Sequence, residues 1–352
     1  MKILHLVANL GSGGAEKQLY LLCRETRTVS EHIVDAVEEG GRWEQPLRTL
    51  GIEVRCLGRR LRHPTTWWSI RGEINAIRPD VIHAWLPSLN VLAGVAAAGT
   101  GIPVVAGVRN VDDWKGWLYR SLDRLLAPFW SVVVANSHAG ADQTRRWLPG
   151  ARVITVPNGI ELAPLTCQAP RRSWSDDIAA CSVCRLVPHK RVDRILELAR
   201  SLPQVRFLIA GDGPMRAQLE RGAPPNVRFL GHLDDVASLL AESDFFVLAS
   251  EREGMSNSLV EAMQAGCVPI VTAVGDNPRI VEDGVSGRVV AWGEMAAAFR
   301  QAIPMRQAWS ENARRRASCF TVETMARKTL TVYEQVRRRG AGFADPIPGL
   351  HQ

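Results

Sequence analysis

The sequence predicts an α/β chain of two parallel-sheet domains, and three observations carry that expectation. Short apolar runs alternate with amphipathic helical stretches along most of the 352 residues, the pattern of βα units built on a buried parallel sheet. A strand, a glycine turn and a helix open the chain, and a second strand-to-helix glycine turn recurs at Gly211-Asp-Gly213. Between these two series, residues 160–177 lose hydrophobic periodicity and carry Pro164 and Pro170, which marks a linker.

Lys2–Asn9 (K-I-L-H-L-V-A-N) reads as the first buried strand, Gly11-Ser-Gly-Gly14 as a tight turn and Ala15–Arg27 as an amphipathic helix. The turn is not G-x-G-x-x-G and no acid is well placed after it, so it does not point to NAD. Either it lets a phosphate or sugar approach the backbone, or it serves helix–strand packing. Further strands are expected at Ile33–Val37, Glu53–Leu57, Val81–Ala84, Pro103–Val108, Ser131–Ala135 and Val153–Pro157. Residues 84–108 carry no formal charge, but Gly99-Thr-Gly-Ile-Pro103 breaks the run. A buried helix and strand therefore fit it better than a transmembrane segment. The second series places strands at Ile178–Cys184, Val205–Ala210, Val227–Phe229, Phe245–Ala249, Val268–Val271 and Gly287–Val290. The expected division is 1–163 for the first Rossmann-like domain and 164–320 for the second. A last amphipathic helix follows over 321–339, then a loose tail over 340–352, with a ligand cleft between the two domains.

Composition is that of an ordinary globular protein, 46% hydrophobic and 22% charged. The net charge of +7 suits anionic ligands, an anionic membrane surface or nucleic acid. Nucleic acid is set aside, because no exposed stacking platform pairs with the basic clusters. Seven cysteines without framework spacing, and no visible signal segment after Met1-Lys2, predict a reducing, cytoplasmic setting. Cys181-Ser-Val-Cys184 has no second pair and reads as core thiols in a strand rather than zinc ligands.

The chemistry concentrates in Asp244–Thr272. A buried strand leads into a polar turn with Glu253 and Gly254 at its tip. A helix then starts near Ser256–Ser258 and stops at Gly266. The free amides of Met255, Ser256, Asn257 and Ser258 at that helix start form an anion site. Glu253 and Glu261 flank it, and a carboxylate can accept bonds from a pair of sugar hydroxyls. Ser258-Leu-Val-Glu261 is also a capping box, so Glu261 has a structural alternative. Arg185 and Lys190, at the end of the first strand of the second series, would neutralise a diphosphate or begin a helix as surface charges.

These residues resemble the E-x7-E signature of the retaining GT-B glycosyltransferases of glycosyltransferase family four, in Glu253-Gly254 with Glu261-Ala-Met263 and Ala265-Gly266. Other pieces agree in order: Gly13-Gly14-Ala-Glu16, Asp80-Val-Ile-His83, Asn136-Ser137, Pro157-Asn-Gly-Ile160, Cys184-Arg-Leu with Lys190, Gly211-Asp-Gly-Pro214, and Glu282-Asp-Gly284 with Gly287. The resemblance spans about residues 2 to 335. It implies a GT-B fold whose last helix crosses back to the first domain. It implies retaining sugar transfer from a UDP- or GDP-type donor to a hydroxyl of a lipid-linked or saccharide acceptor. Glu261 would bind the ribose, Glu253 the donor sugar, and Arg185, Lys190 and the amides of 255–258 the diphosphate. Leu233 would lie near the base, while Gly13, Gly14 and Gly211 would admit the donor. No metal or other cofactor is implied, and no D-x-D occurs in the sequence.

Three departures stand out. The common E-G-F-G run is Glu253-Gly-Met-Ser-Asn257 here. Arg109, in Gly107-Val-Arg-Asn110, stands where the family often has a histidine, and it cannot act as a base. Arg109 and Asn110 are therefore read as acceptor-side residues. His83 keeps the first histidine of a common H-x-H pair, with Trp85 in place of the second, and is either catalytic or structural. A sugar-nucleotide epimerase and a non-catalytic sugar-nucleotide-binding protein of the same fold remain as alternatives. Arg59-Arg-Leu-Arg62 with Trp67-Trp68, and Trp114-Lys-Gly-Trp-Leu-Tyr-Arg120 with Phe129-Trp130, are basic and aromatic. They suggest peripheral attachment to the anionic inner face of the cytoplasmic membrane, or else core tryptophans beside solvated arginines.

Overall fold

The protein is described from a computed structural model, which covers all residues except 12, 64, 112–115, 162–176 and 340–352. Most of the expected linker, the loose tail and Trp114-Lys115 lie outside the described residues. The chain forms two compact units, Met1–Gly159 with the segment from Val322 onward, and Ile160–Thr321.

The first unit runs β1 (Lys2–Asn9), α1 (Gly14–Thr26), β2 (Glu31–Glu39), α2 (Glu44–Thr49), β3 (Glu53–Cys56), α3 (Thr66–Ile77), β4 (Val81–Ala84), α4 (Pro87–Ala97), β5 (Val104–Val108), α5 (Trp117–Leu126), β6 (Val132–Ala135), α6 (His138–Trp147) and β7 (Val153–Thr155). Its seven strands are ordered β3-β2-β1-β4-β5-β6-β7, with parallel neighbours throughout. The second unit runs β8 (Ile178–Val183), α7 (Val192–Ser201), β9 (Val205–Ala210), α8 (Arg216–Arg221), β10 (Val227–Gly231), α9 (Ala237–Ala241), β11 (Phe245–Leu248), α10 (Asn257–Ala265), β12 (Val268–Thr272), α11 (Asn277–Ile280), β13 (Arg288–Val290), α12 (Met295–Ala302) and α13 (Arg306–Ala317). Its six strands are ordered β10-β9-β8-β11-β12-β13, again parallel. The last helix, α14 (Val322–Arg339), belongs to the first unit.

Strand parity explains how each sheet is covered. In β1, Ile3 and Val7 face α1 and α14, while Leu4, Leu6 and Ala8 pack with Ile70, Ile74 and Leu89 of α3 and α4. The second sheet divides likewise between a cluster with α7 and α12 and one with α10 and α13. Each fully buried Leu, Ile, Val or Phe stabilises by about 1.5–3 kcal/mol, so both faces of both sheets hold their helices. Cys181 is buried in β8, and burial pushes the Cys184 thiol up to about 11, as expected of core thiols. Among the described residues no helix is long and apolar enough to cross a membrane.

Candidate functional site

In open α/β sheets ligands bind beyond the carboxyl ends of the strands, where the strand order reverses. In the second unit that point lies between β8 and β11. The loop after β8 carries Arg185, His189 and Lys190, and the loop after β11 carries Ser250 and Glu253.

These two loops are joined. The Lys190 ammonium donates to both Glu253 oxygens, 2.6 Å to Oε1 and 2.9 Å to Oε2. Ser250 donates to Glu253 Oε1 at 2.6 Å. Glu253 is 6% exposed, so its charge needs these partners. The Glu251 N–H donates to the His189 carbonyl at 2.9 Å, and Arg191 bonds both Glu251 and Asp193. Arg191 sits at φ 50°, in the left-handed region unusual for a side-chain-bearing residue. Backbone strain of this kind costs about 1–3 kcal/mol and clusters at functional sites. Half-buried His189 has its pKa lowered by burial and then by Lys190.

Glycines hold the same edge together. A Cβ on Gly211, at φ 132°, would lie 1.9 Å from the Cys184 carbonyl oxygen, and one on Gly213 would lie 2.5 Å from that of Leu186. The Leu186 N–H donates to the Asp212 carbonyl at 2.9 Å, and the Gly211 N–H to that of Gly231 at 2.7 Å. The stretch that presents exposed Arg185 is thereby pinned by backbone contacts. Gly211 is thus required for packing at this edge.

Helix α10 begins beside Glu253. Its N-cap is Ser256, whose Oγ accepts from the Leu259 N–H at 3.4 Å. The expected cap at Ser258 is therefore not the one used, and the capping box proposed for Glu261 does not form from that residue. Glu261 is half-buried on the first turns of α10, with Asn257 and Ser258 beside it. Gly266 closes the helix at φ 90°. Gly254 and Met255 are buried in the turn, and half-buried Leu233, in the loop after β10, packs against the core cluster that includes α10. The second unit thus brings together Arg185, Lys190, Glu253 and the start of α10.

In the first unit the order reverses between β1 and β4. Gly13 and Gly14 lie at the start of α1 there, and Glu16 Oε2 comes within 2.1 Å of where a Cβ on Gly13 would stand. His83 does not fit a reacting group. It is fully buried, its Nδ1 is 2.6 Å from the Tyr333 hydroxyl, and its ring stacks on Trp85 at 4.6 Å. Burial holds its pKa well below the usual imidazole value. Of the two readings open to it, the geometry favours the structural one. It ties α14 to the sheet. The Arg109 guanidinium lies over the Trp85 ring at 4.0 Å, with exposed Asn110 next to it.

Sequence reasoning missed the residues beneath Trp85. His5 and His32 are buried and bond through Nε2 and Nδ1 at 2.9 Å, with Trp85 Nε1 donating to His5 Nδ1 at 3.2 Å. Single histidines in apolar strands give no pattern to find. With Cys23 they form the one potential metal cluster among the described residues. Both imidazoles are committed to hydrogen bonds, and burial raises the thiol pKa far up, so the thiol stays protonated and is a poor ligand. A hollow of about 550 Å³ lined by Met1, Arg27, Glu31 and Ile52 lies at the amino ends of β1 and β2, the edge opposite the ligand-binding one.

The sequence profile described as Glycosyltransferase Family 4 matches residues 12–163, and that described as Glycosyl transferases group 1 matches residues 178–305. The chain is 26% identical over 367 residues to EpsF of Bacillus subtilis, whose name carries glycosyltransferase as a provisional assignment, covering 92% of this chain and 91% of that one. It is 27% identical over 277 residues to the GDP-mannose:cellobiosyl-diphosphopolyprenol alpha-mannosyltransferase of Komagataeibacter xylinus, covering 73% of this chain and 68% of that one. Among solved structures, Anabaena HepE in complex with UDP and glucose superposes with a TM-score of 0.82 at 22% identity, covering 95% of this chain and 100% of that one. That likeness shows a shared fold.

Proposed function

The chain belongs to the family 4 and group 1 glycosyltransferases, and from that premise we propose a retaining, metal-independent transfer of a sugar from a UDP- or GDP-type donor to a hydroxyl acceptor. The acceptor is a lipid-linked or saccharide intermediate, as the name of the Komagataeibacter relative specifies for that enzyme. The observation that carries the donor reading is the Lys190–Glu253 pair at the β8/β11 reversal, beside Arg185 and the start of α10.

In this reading a diphosphate competes with Glu253 for the Lys190 ammonium. Arg185 grips it as a fork, Lys190 as a point charge, and the first amides of α10 complete the cradle. Glu253, released from Lys190, accepts hydroxyls of the donor sugar. Glu261 accepts those of the ribose, and the base lies near Leu233. In the step itself the bond from the anomeric carbon to the diphosphate breaks and the bond to the acceptor oxygen forms on the same face. The acceptor proton passes to the departing phosphate. No protein nucleophile is required, and the fixed cations stabilise the charge that develops on the leaving group.

A thermal-shift screen against UDP-, GDP-, ADP- and dTDP-sugars, with and without EDTA, tests the donor site. One nucleotide class is expected to stabilise the protein by about 2.7 kcal/mol at a hundred times its Kd. The shift should survive EDTA and disappear in Glu261→Ala. A shift that needs a divalent metal would contradict the metal-independent reading.

The acceptor reading extends to an anionic bilayer through α5. Trp117, Leu118 and Leu125 are 79%, 64% and 70% exposed, and Leu122 and Phe129 also face solvent. Leu118, Leu122 and Leu125 share one helix face. Arg120, stacked 4.2 Å over Trp147, and Arg124, donating to the Trp147 carbonyl at 3.1 Å, anchor the helix to its unit. In the other basic-aromatic segment Trp68 is exposed. Trp130, by contrast, is core, donating to the Asn90 carbonyl at 2.9 Å. Replacing Trp117, Leu118 and Leu125 together with serine should weaken co-sedimentation with phosphatidylglycerol-containing vesicles by at least about tenfold, each tenfold being about 1.4 kcal/mol. Binding untouched by the triple substitution would contradict α5 as the contact.

A further inference from the structure

Parity places His5, His83, Trp85, Gly107 and Arg109 on one face of the first sheet, the face covered by α1 and α14. Gly107 allows the ends of β4 and β5 to meet, since a Cβ there would lie 2.6 Å from the Ala84 carbonyl oxygen. Asn90 clamps Gly107 from both sides, donating to its carbonyl at 2.9 Å and accepting from its N–H at 3.0 Å. The backbone leading to Arg109 is therefore tightly determined.

The ring beneath Arg109 is determined too. Trp85 Nε1 can only donate, so His5 Nδ1 accepts and His5 Nε2 carries the proton. His5 Nε2 then donates to His32 Nδ1 at 2.9 Å, and His32 Nε2 donates to Thr26 Oγ1 at 2.8 Å. Thr26 Oγ1 donates to the Leu22 carbonyl at 2.6 Å, which ends the chain. Every proton has one place, both imidazoles are neutral, and the Trp85 ring cannot turn without breaking its bond to a His5 that is itself fixed by the chain behind it.

On this platform sits a cation that forms no ion pair among the described residues. The Nε of Arg109 is sealed from solvent and has no hydrogen-bond partner. Burial lowers its pKa to about 10, which leaves it charged at neutral pH. Among the described residues the groups that act on it are the Tyr333 hydroxyl and, after it, the Glu16 carboxylate, both through space only. Glu16 is engaged at the start of its own helix, bonded to its own backbone, and burial shifts it towards the neutral form. A sheltered, uncompensated guanidinium is costly unless an anion completes it, and its fork matches carboxylate and phosphate.

We propose that Arg109 is a specificity-determining residue that selects a substrate sugar bearing a carboxylate or phosphate. The inference rests on the transferase reading above. The anion can belong to the acceptor or to the transferred sugar, and the test separates these sources.

Ligand-observed NMR titrations would use glucuronate, glucose 6-phosphate and neutral glucose as free probes, and UDP-glucuronate against UDP-glucose as donor probes. Wild type, Arg109→Gln, Arg109→Lys and Arg185→Ala would be compared at equal ionic strength. The expected result is a preference for the charged member of a pair, weakened at least about tenfold in Arg109→Gln. Arg109→Lys should retain part of it, and if the glutamine variant fails to fold, the lysine variant and the wild-type preference decide. Discrimination among free probes assigns the anion to the acceptor; discrimination confined to the UDP pair assigns it to the donor sugar. Equal binding of charged and neutral probes by wild type, or a preference that survives Arg109→Gln, overturns the proposal. UDP-glucose affinity lost in Arg185→Ala and kept in Arg109→Gln separates this site from the donor site. Failure of every nucleotide to bind wild type would contradict the transferase reading, while the free probes would still report on Arg109.

Discussion

Lys190→Ala is expected to lower turnover by about 10²–10³-fold, the usual loss when one preorganised group facing developing charge is removed. The same change should destabilise the second unit by about 3–5 kcal/mol, because it leaves a buried carboxylate without its cation. Among the described residues Glu253 would retain only the Ser250 hydroxyl, at 2.6 Å. Lys190 is itself 18% exposed, so water entering the gap sets the stability loss towards the lower end. The double variant Lys190→Met with Glu253→Leu separates the two effects. With both charges gone, most of the stability should return, since replacing a buried pair by apolar groups is often neutral. Turnover should stay lost, because the diphosphate loses one of its cations and the donor sugar loses its carboxylate. Urea unfolding and donor-consumption assays on the three proteins measure this. A double variant that regains activity would show that the pair serves packing alone.

Gly211→Ala is expected to be nearly as damaging, although it removes no functional group. The added Cβ would stand 1.9 Å from the Cys184 carbonyl oxygen, which is backbone and cannot swing away. The φ of 132° is also unfavourable for alanine. Overpacking and backbone strain together predict a loss of about 2–4 kcal/mol. Arg185 follows Cys184 directly, so any shift to relieve the clash moves the guanidinium and should weaken nucleotide binding. Gly222→Ala is the control: its nearest atom would be the Leu219 carbonyl oxygen at 3.8 Å, and the change should stay within about 0.5 kcal/mol. Equal denaturation midpoints for the two variants would contradict the close approach at Gly211.

Most of this architecture was legible before any coordinates. Buried parallel strands are continuous apolar runs, so each expected strand formed, β1, β4 and β9 with the expected bounds and the others with shifted ends. β2 extends from the expected Ile33–Val37 to Glu31–Glu39. Its polar ends carry no apolar signal, and pairing with β1 defines them. α2 is only six residues long and contains Pro46, too short for periodicity to show. The expected boundary after residue 163 falls within the residues the structure does not describe, while the contacts divide the chain at Gly159/Ile160.

In the site, Glu253, Glu261, Arg185 and Lys190 could be named because charged residues at strand-to-helix turns stand out. That Lys190 bonds Glu253 could not be read, because the 63-residue separation closes only when β8 and β11 become neighbours. The same holds for Trp85 and Arg109, which meet through β4 and β5. His83 was open to two readings because a strand end says nothing about what covers it, and Tyr333 of α14 lies 250 residues away.

The central claim is that Arg185, Lys190 and the start of α10 recognise a nucleoside diphosphate without a metal. Calorimetric titration of UDP against UMP, and of GDP against GMP, in EDTA tests it most directly. One diphosphate should bind at least about tenfold more tightly than its monophosphate, since charged hydrogen bonds contribute about 1.5–3 kcal/mol each. Arg185→Ala should erase most of that difference. Equal affinities for diphosphate and monophosphate, or a difference that appears only when a divalent metal is added, would contradict the account.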